Sequence, residues 1–267
     1  MKELEQQFGL PLFQRLPHGM ALTDAGRALL GHARSVVHSV ARMQDDAQSF
    51  RDGDRGVVRI AACTSTVLQF LPADLLRCHA AWPDVKIDLQ ELNSPGVIQA
   101  LGRGVADIGI YESTLGVVPL PSMPYHADRL LLVVPAAHAL ARRREVRLED
   151  FIDHDVIGMS EGSAISSTLE RVAAEAHRSI RMRIRVSSFA SMMAMIDKGI
   201  GIGLMPEQVA TSFSGNRRFR RVAIAEDWAV RRFVLCHQPP AALSSAAQAV
   251  IDVLACEFAE RETSLKE

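Results

Sequence analysis

From Val57 onward the chain alternates short apolar runs with longer amphipathic ones, and that alternation limits the possible folds more than any other feature. Residues 57–62 read as a buried strand, 66–80 as an amphipathic helix carrying Pro72 near its middle, and 85–89 as a second strand. A helix over 94–104 and a strand over 106–111 complete a repeated βαβ order. Parallel strands need a crossover long enough to hold a helix, so this order predicts an α/β fold with helices on the faces of a parallel sheet. A second unit of the same kind begins near Arg129. It has strands at 130–134 and 156–158, a helix at 163–177, a strand at 182–186, a helix at 189–198 and a strand-like run at 201–205. Residues 231–237 then read as a returning strand and 243–260 as a closing helix. Two similar units with a late return predict two lobes joined by crossovers near 125–129 and 224–232.

The segment ahead of Val57 is of another kind. Thr23 is a good N-cap for a long helix, with Asp24 in its first turn. Along it Leu22, Gly26, Leu29, Ala33, Val36, Val40, Met43, Ala47 and Phe50 recur in steps of four and three, while Arg27, Arg34, Arg42, Gln44, Asp45 and Gln48 occupy the other faces. That is a heptad seam. The chain's own core or a partner helix would cover it. So long a stripe with so polar a back is hard to cover within one chain, so homodimerisation through residues Leu29 to Phe50 of the seam is the expectation. Residues 51–56, with Gly53 and Gly56 among charges, break the helix into a linker.

Residues 1–22 read as a helix end stopped by Gly9, then a hairpin of 12–16 and 20–22 turned by Pro17, His18 and Gly19. Arg15 at the hairpin base and His18 at its tip are candidates for DNA-backbone contact; a solvated hairpin charge explains each equally well.

Six stretches carry a resemblance. Lys2-Glu3-Leu4-Glu5-Gln6-Gln7-Phe8-Gly9-Leu10-Pro11-Leu12-Phe13-Gln14-Arg15, continued by Met20-Ala21-Leu22-Thr23-Asp24-Ala25-Gly26, resembles the second half of the winged helix-turn-helix of the LysR-type transcriptional regulators. Trp82-Pro83-Asp84-Val85, Leu101 with Gly104 and Asp107, and Val133-Val134-Pro135-Ala136-Ala137-His138-Ala139-Leu140 are similar to junctions of that family's sensing lobes. So are Gly199-Ile200-Gly201-Ile202-Gly203-Leu204-Met205-Pro206 and Leu243-Ser244-Ser245-Ala246-Ala247. The resemblance covers nearly the whole chain. It implies a partial winged helix-turn-helix at 1–22, a linker and dimerisation helix with hinge at 23–56, and a two-lobed effector domain like a type-2 periplasmic binding protein. In that domain lobe I holds 57–128, lobe II 129–230, and 231–267 return to lobe I. It further implies a regulator that forms a homodimer or homotetramer and answers a small-molecule inducer. The family's first reader helices have no counterpart here, so DNA is an expected partner where that segment is restored. A misassigned start, a shortened chain and a natural short form stay open as explanations. The alternative is a cytosolic small-molecule-binding dimer without a DNA role.

Composition fits a globular protein, with 267 residues, 48% hydrophobic and 23% charged. A net charge of −1 supplies no global field for nucleic acid, so DNA contact has to be local. Cys63, Cys78, Cys236 and Cys256 stand far apart, without metal spacing, and read as buried free thiols in a reducing cytosol. Glu3 to Gln7 rule out a signal-peptide core, and the most apolar run, 130–137, is too short to span a bilayer. A cytoplasmic protein with no membrane partner, no cofactor and no metal is expected.

Ligands of open α/β sheets bind at the carboxyl ends of the strands, where helix N-termini present free N–H groups. Four hydroxyl-bearing turns fall at such positions: Thr64-Ser65-Thr66, Asn93-Ser94, the loop with Ser160 and Ser163, and Ser187-Ser188 before Phe189. Plain N-capping accounts for any one of them. The resemblance assigns inducer contacts to the first two and the last, and their chemistry suits a small carboxylate. Gly158-Met159-Ser160-Glu161-Gly162 also matches the G-x-S-x-G nucleophile elbow, with Asp197 or Asp227 and His237 following in hydrolase order. No His-Gly-Gly-Gly-type oxyanion segment accompanies it, and the heptad helix has no place in such an enzyme, so a serine hydrolase is a distant alternative. The Gly199-x-Gly201-x-Gly203 run lacks dinucleotide spacing.

Overall fold

The computed structural model describes residues 2–16, 19–52, 56–116, 118–213 and 218–264. Helix α1 (Lys2–Phe8) stops where Gly9 takes φ +66°. Strands β1 (Phe13–Leu16) and β2 (Gly19–Leu22) form the expected antiparallel hairpin. Glu5 ties helix to hairpin: its Oε1 accepts from the N–H groups of Leu12 at 2.7 Å and Phe13 at 3.1 Å. Those two bonds hold its carboxyl below the usual range.

Helix α2 (Asp24–Asp52) starts at Thr23, whose hydroxyl accepts from the Gly26 N–H at 3.0 Å. A Cβ at Gly26 would stand 2.1 Å from the Leu12 carbonyl oxygen, so only glycine lets the helix rest on the hairpin. Farther along, Val36 and Met43 are 63% and 65% exposed, and Val40 is exposed as well.

Lobe I begins with β3 (Val57–Cys63), α3 (Thr64–Gln69), α4 (Leu71–Ala81), β4 (Lys86–Leu92), α5 (Ser94–Gly102) and β5 (Ile108–Glu112). Strand β3 pairs in parallel with β4 on one side and β5 on the other. The single helix read over 66–80 is two helices broken at Phe70, and Pro72 lies in the first turn of α4, where its missing N–H leaves no bond unmade.

Strand β6 (Ser122–Pro135) follows. The crossover expected near 125–129 lies within this continuous 14-residue strand. Lobe II contains β7 (Glu145–Val146), α6 (Leu148–Phe151), β8 (Val156–Met159), α7 (Ala164–Glu175), β9 (Met182–Val186), α8 (Phe189–Asp197), β10 (Gly203–Pro206), α9 (Glu207–Ser212) and β11 (Phe219–Ile224). Strand β12 (Val230–His237) returns between β5 and β6, and α10 (Ser245–Ser264) closes lobe I.

Arg129 is the last residue of β6 to pair with β12, and Leu130 the first to pair with β10. Hydrogen bonding thus runs through β6 into both lobes while the cores stay separate. One core gathers Leu132, Phe151, Ile157 and Met192, the other Ile60, Leu71, Ile110 and Phe233. Among the described residues, no helix is long and apolar enough to cross a membrane.

Candidate functional site

Parallel strands deliver their carboxyl ends to one edge, and the helices that follow begin there. In lobe I this sets Thr64 and Ser65 at the start of α3, and Asn93 and Ser94 at the start of α5. Lobe II answers with Ser160 and Ser163 after β8, and Ser187 and Phe189 after β9. All eight line one inter-lobe cleft of about 290 Å³. Its floor and sides add Cys63, Leu92, Met159, Glu161, Ile165 and Phe233. Among the described residues, those lining the cleft include one carboxylate, Glu161, and no basic side chain.

Two expected contacts are not brought to the cleft. Thr66 is fully buried and donates its hydroxyl to the Cys63 carbonyl at 2.8 Å. Ser188 caps α8, its Oγ accepting from the Ser191 N–H at 3.1 Å. The capping reading holds for Asn93 also, since its Oδ1 accepts from the Gly96 N–H at 2.9 Å. Ser163 makes no such side-chain cap.

The remaining hydrogen bonds give the walls a polarity. With Oδ1 engaged in the cap, Asn93 has its Nδ2 amide left to donate. The Ser94 Oγ accepts from the Glu112 N–H at 3.4 Å, and the Ser65 Oγ accepts from Arg231 at 3.0 Å, so each keeps its own hydrogen for another acceptor. On the facing wall Ser160 donates to the Val186 carbonyl at 3.1 Å and keeps lone pairs to accept. Lobe I therefore presents donors, and lobe II presents acceptors in Ser160 and Glu161. Burial pushes the Cys63 thiol up, which makes it a poor nucleophile at the cleft floor.

The nucleophile-elbow residues are not assembled. Ser160, Asp197 and His237 are committed to other partners, Ser160 to Val186, Asp197 to Arg218 at 3.1 Å, and the His237 ring to the Gln238 carbonyl at 2.8 Å, while Asp227 opens the 3-10 turn ahead of β12. Register places His237 opposite Ile108, at the far end of β5 from Glu112, which faces the cleft residue Phe233.

Of the other candidate residues, Arg15 is exposed on β1, and His18 lies outside the described residues. On α2, Leu29 is half-buried, while Ala33, Val36, Val40, Met43 and Ala47 are exposed; the Phe50 side chain lies outside the described residues. Sequence reading missed Phe233, which sits in the alternating run of β12. Alternation marks it as inward-facing, but only pairing with β5 and β6 puts it at the cleft.

Comparison with known proteins adds three findings. Residues 51–259 match the family profile for the LysR substrate binding domain. The HTH-type transcriptional regulator AlsR of Bacillus subtilis (strain 168) is 23% identical over 235 residues, covering 86% of this chain and 78% of AlsR. Among solved structures, full-length CbnR complexed with its target DNA superposes with a TM-score of 0.68 at 17% identity, over 96% of this chain and 86% of that one. The effector-binding domain of QuiR in complex with shikimate gives 0.66 at 18% identity, over 74% and 95%.

Proposed function

The chain belongs to the LysR-type transcriptional regulators, and on that premise we propose that its inter-lobe cleft binds a small effector carrying a carboxylate. The observation that carries this reading is the convergence of three side-chain donors of lobe I, on Ser65, Ser94 and Asn93, on one small cleft. A carboxylate offers about four acceptor sites and suits such a wall. Thr64 from lobe I and Ser163, Ser187 and Phe189 from lobe II complete the contact set, with Ser160 and Glu161 taking hydrogens from hydroxyl or amino groups on the same molecule. Shikimate, named in the QuiR complex, combines a carboxylate with hydroxyls and is a sensible first probe.

An effector that touches both lobes favours one closure angle over the others. It regulates only if its affinity differs between closures. The exposed stripe of α2 would pair two copies of the chain as a homodimer or within a tetramer, carrying the closure change to paired DNA readers. Arg15 would rest against a phosphate in such an assembly. The working compartment is the cytoplasm.

Thermal-shift screening of small carboxylates, followed by isothermal titration, tests the reading, because a ligand held by the native state raises its melting temperature. A carboxylate hit should lose most of its heat when replaced by its amide. Equal heats for acid and amide would remove the carboxylate assignment.

A further inference from the structure

Behind Ser65 lies a polar cluster sealed from solvent. Arg231 is 1% exposed, yet its guanidinium is almost fully engaged. Nε donates to Asp128 Oδ1 at 2.8 Å, Nη2 to Asp128 Oδ2, and Nη1 to the Ser65 hydroxyl at 3.0 Å. Glu112 Oε2 stands 3.6 Å from Nη1, beyond hydrogen-bond distance. Gln69, at the other end of α3, donates to Asp128 Oδ2 at 2.8 Å and to the Ser65 carbonyl at 3.0 Å. The guanidinium carbon lies 5.2 Å from the ring centroid of Phe233, which itself lines the cleft.

Two features make this more than a buried ion pair. Asp128 and Arg231 are direct partners in the β6–β12 ladder, and the next rung, Arg129 with Val230, is the last before both strands pass to lobe II. The charge pair thus sits one residue from the pivot. Further, an arginine has only donors to give. By filling a lone pair of the Ser65 oxygen, it leaves that hydroxyl to act as a donor toward whatever enters the cleft. A change in lobe angle tilts the terminal rungs, moves Arg231, and so moves the donor.

We propose that Arg231 is a positioning residue. It holds the Ser65 hydroxyl as a donor aimed into the cleft and, with Asp128, links occupancy of the cleft to the paired crossover strands. The inference rests on the carboxylate reading above and adds to it which group sets the donor and how the pivot senses it. An arginine kept only for stability would be replaceable by packing. Buried ion pairs often exchange for apolar pairs of like volume with no loss of stability.

The test is an amide NMR titration of the full chain with acetate and, separately, acetamide. In the native protein, acetate should shift the amides of residues 64–66, Ser94 and Gly96, and acetamide should do so much more weakly. Ser65→Ala should weaken acetate by about tenfold, the scale of one hydrogen bond to a charged group. The double variant Asp128→Leu/Arg231→Met, whose apolar pair preserves packing, should weaken it by the same factor. Adding Ser65→Ala to that background should then cost nothing more, the mark of two residues acting as one. Arg231→Lys keeps the charge but not the fork and provides the same cycle if the double variant does not fold. Native acetate affinity in a folded Asp128→Leu/Arg231→Met protein, or strict additivity of Ser65→Ala with Arg231→Lys, would overturn the proposal and leave the carboxylate reading standing. If acetate moves no cleft amide in the native protein, or acetamide matches it, the carboxylate reading fails and takes this inference with it.

Discussion

Gly162 of lobe II sits against the side-chain amide of Asn93 in lobe I, so closely that a Cβ at Gly162 would stand 2.6 Å from Asn93 Nδ2. Gly162 also has φ +79°, where a side chain is strained by about 1–2 kcal/mol. Gly162→Ala should therefore lower stability by roughly that amount and, separately, wedge the cleft open. Small-angle scattering should report a larger radius of gyration, and effector affinity should fall. Asn93→Ser keeps an oxygen to cap α5 but removes the amide that collides. In the Gly162→Ala background it should restore the native radius without restoring the melting temperature. A radius unchanged in Gly162→Ala would mean that this contact does not set the closure.

Glu112 supplies a pH signature. Its carboxyl is 2% exposed, and burial pushes its pKa up; Arg231 and the Thr114 hydroxyl pull it down, Asp128 pushes it up and Arg171 pulls it down. A carboxyl whose folded pKa lies above its unfolded value binds its proton more tightly when folded. Its stabilising share is complete below the unfolded pKa and is lost as pH rises through the folded one. Glu112→Gln keeps the neutral shape, so stability against pH from 4 to 8 should fall less steeply in the variant. Urea midpoints across that range measure this. Anion binding should follow the same sense, because ionised Glu112 adds a second carboxylate beside Asp128 behind Ser65. A variant whose stability slope matches the native one would show that folding does not raise the Glu112 pKa.

Much of this architecture was legible because local signals carry it. Strands β3 and β5 are largely buried and read as mostly apolar runs, interrupted by Arg59 in β3 and closed by Glu112 in β5, and the turn after β3 carries hydroxyls that local chemistry marks as a helix start. What escaped reading depends on distant partners. Residues 122–129 of β6 hold Pro124, His126, Asp128 and Arg129, a composition that argues for a loop, and only pairing with β12 makes them strand. Nothing local in the sequence marks Asp128 and Arg231 as buried, since such residues are seldom fully buried unless paired. The contact that buries Arg231 spans 166 residues to Ser65, beyond the reach of any periodicity. The break at Phe70 was within reach, because Pro72 favours the first turn of a new helix over the interior of an old one.

The exposed stripe of α2 makes a simple assembly prediction. Val36, Val40 and Met43 leave their apolar surface in water. Burying one such side chain against a partner is worth about 1.5–3 kcal/mol, and in a two-fold pair each is counted twice. Val40→Glu should turn a dimer into a monomer in sedimentation velocity at micromolar concentration. The melting of the two lobes within the full-chain variant should not change, as the side chain supports neither core. A native chain that sediments as a monomer would remove α2 from assembly.

Two glycines of one layer separate packing from chain entropy and tie both to the cleft. Gly109 lies on β5 beneath α5, where a Cβ would meet Leu101 Cδ1 at 2.4 Å and Val97 Cγ1 at 3.0 Å. Both side chains are fully buried, so neither can yield without moving the helix. Gly102 ends α5 with nothing within 4 Å of its added carbon. Alanine at either site removes unfolded-state freedom worth about 0.4–1 kcal/mol. At Gly102 that gain stands alone, so Gly102→Ala should melt slightly higher. At Gly109 overpacking of about 1–3 kcal/mol outweighs it, so Gly109→Ala should melt several degrees lower. Because α5 begins at Ser94 and is capped by Asn93, pushing the helix off the sheet also displaces two of the three lobe I donors. Gly109→Ala should then bind carboxylates more weakly while Gly102→Ala binds as the native chain does. If both variants bind alike despite different melting temperatures, the seating of α5 on the sheet has no part in recognition.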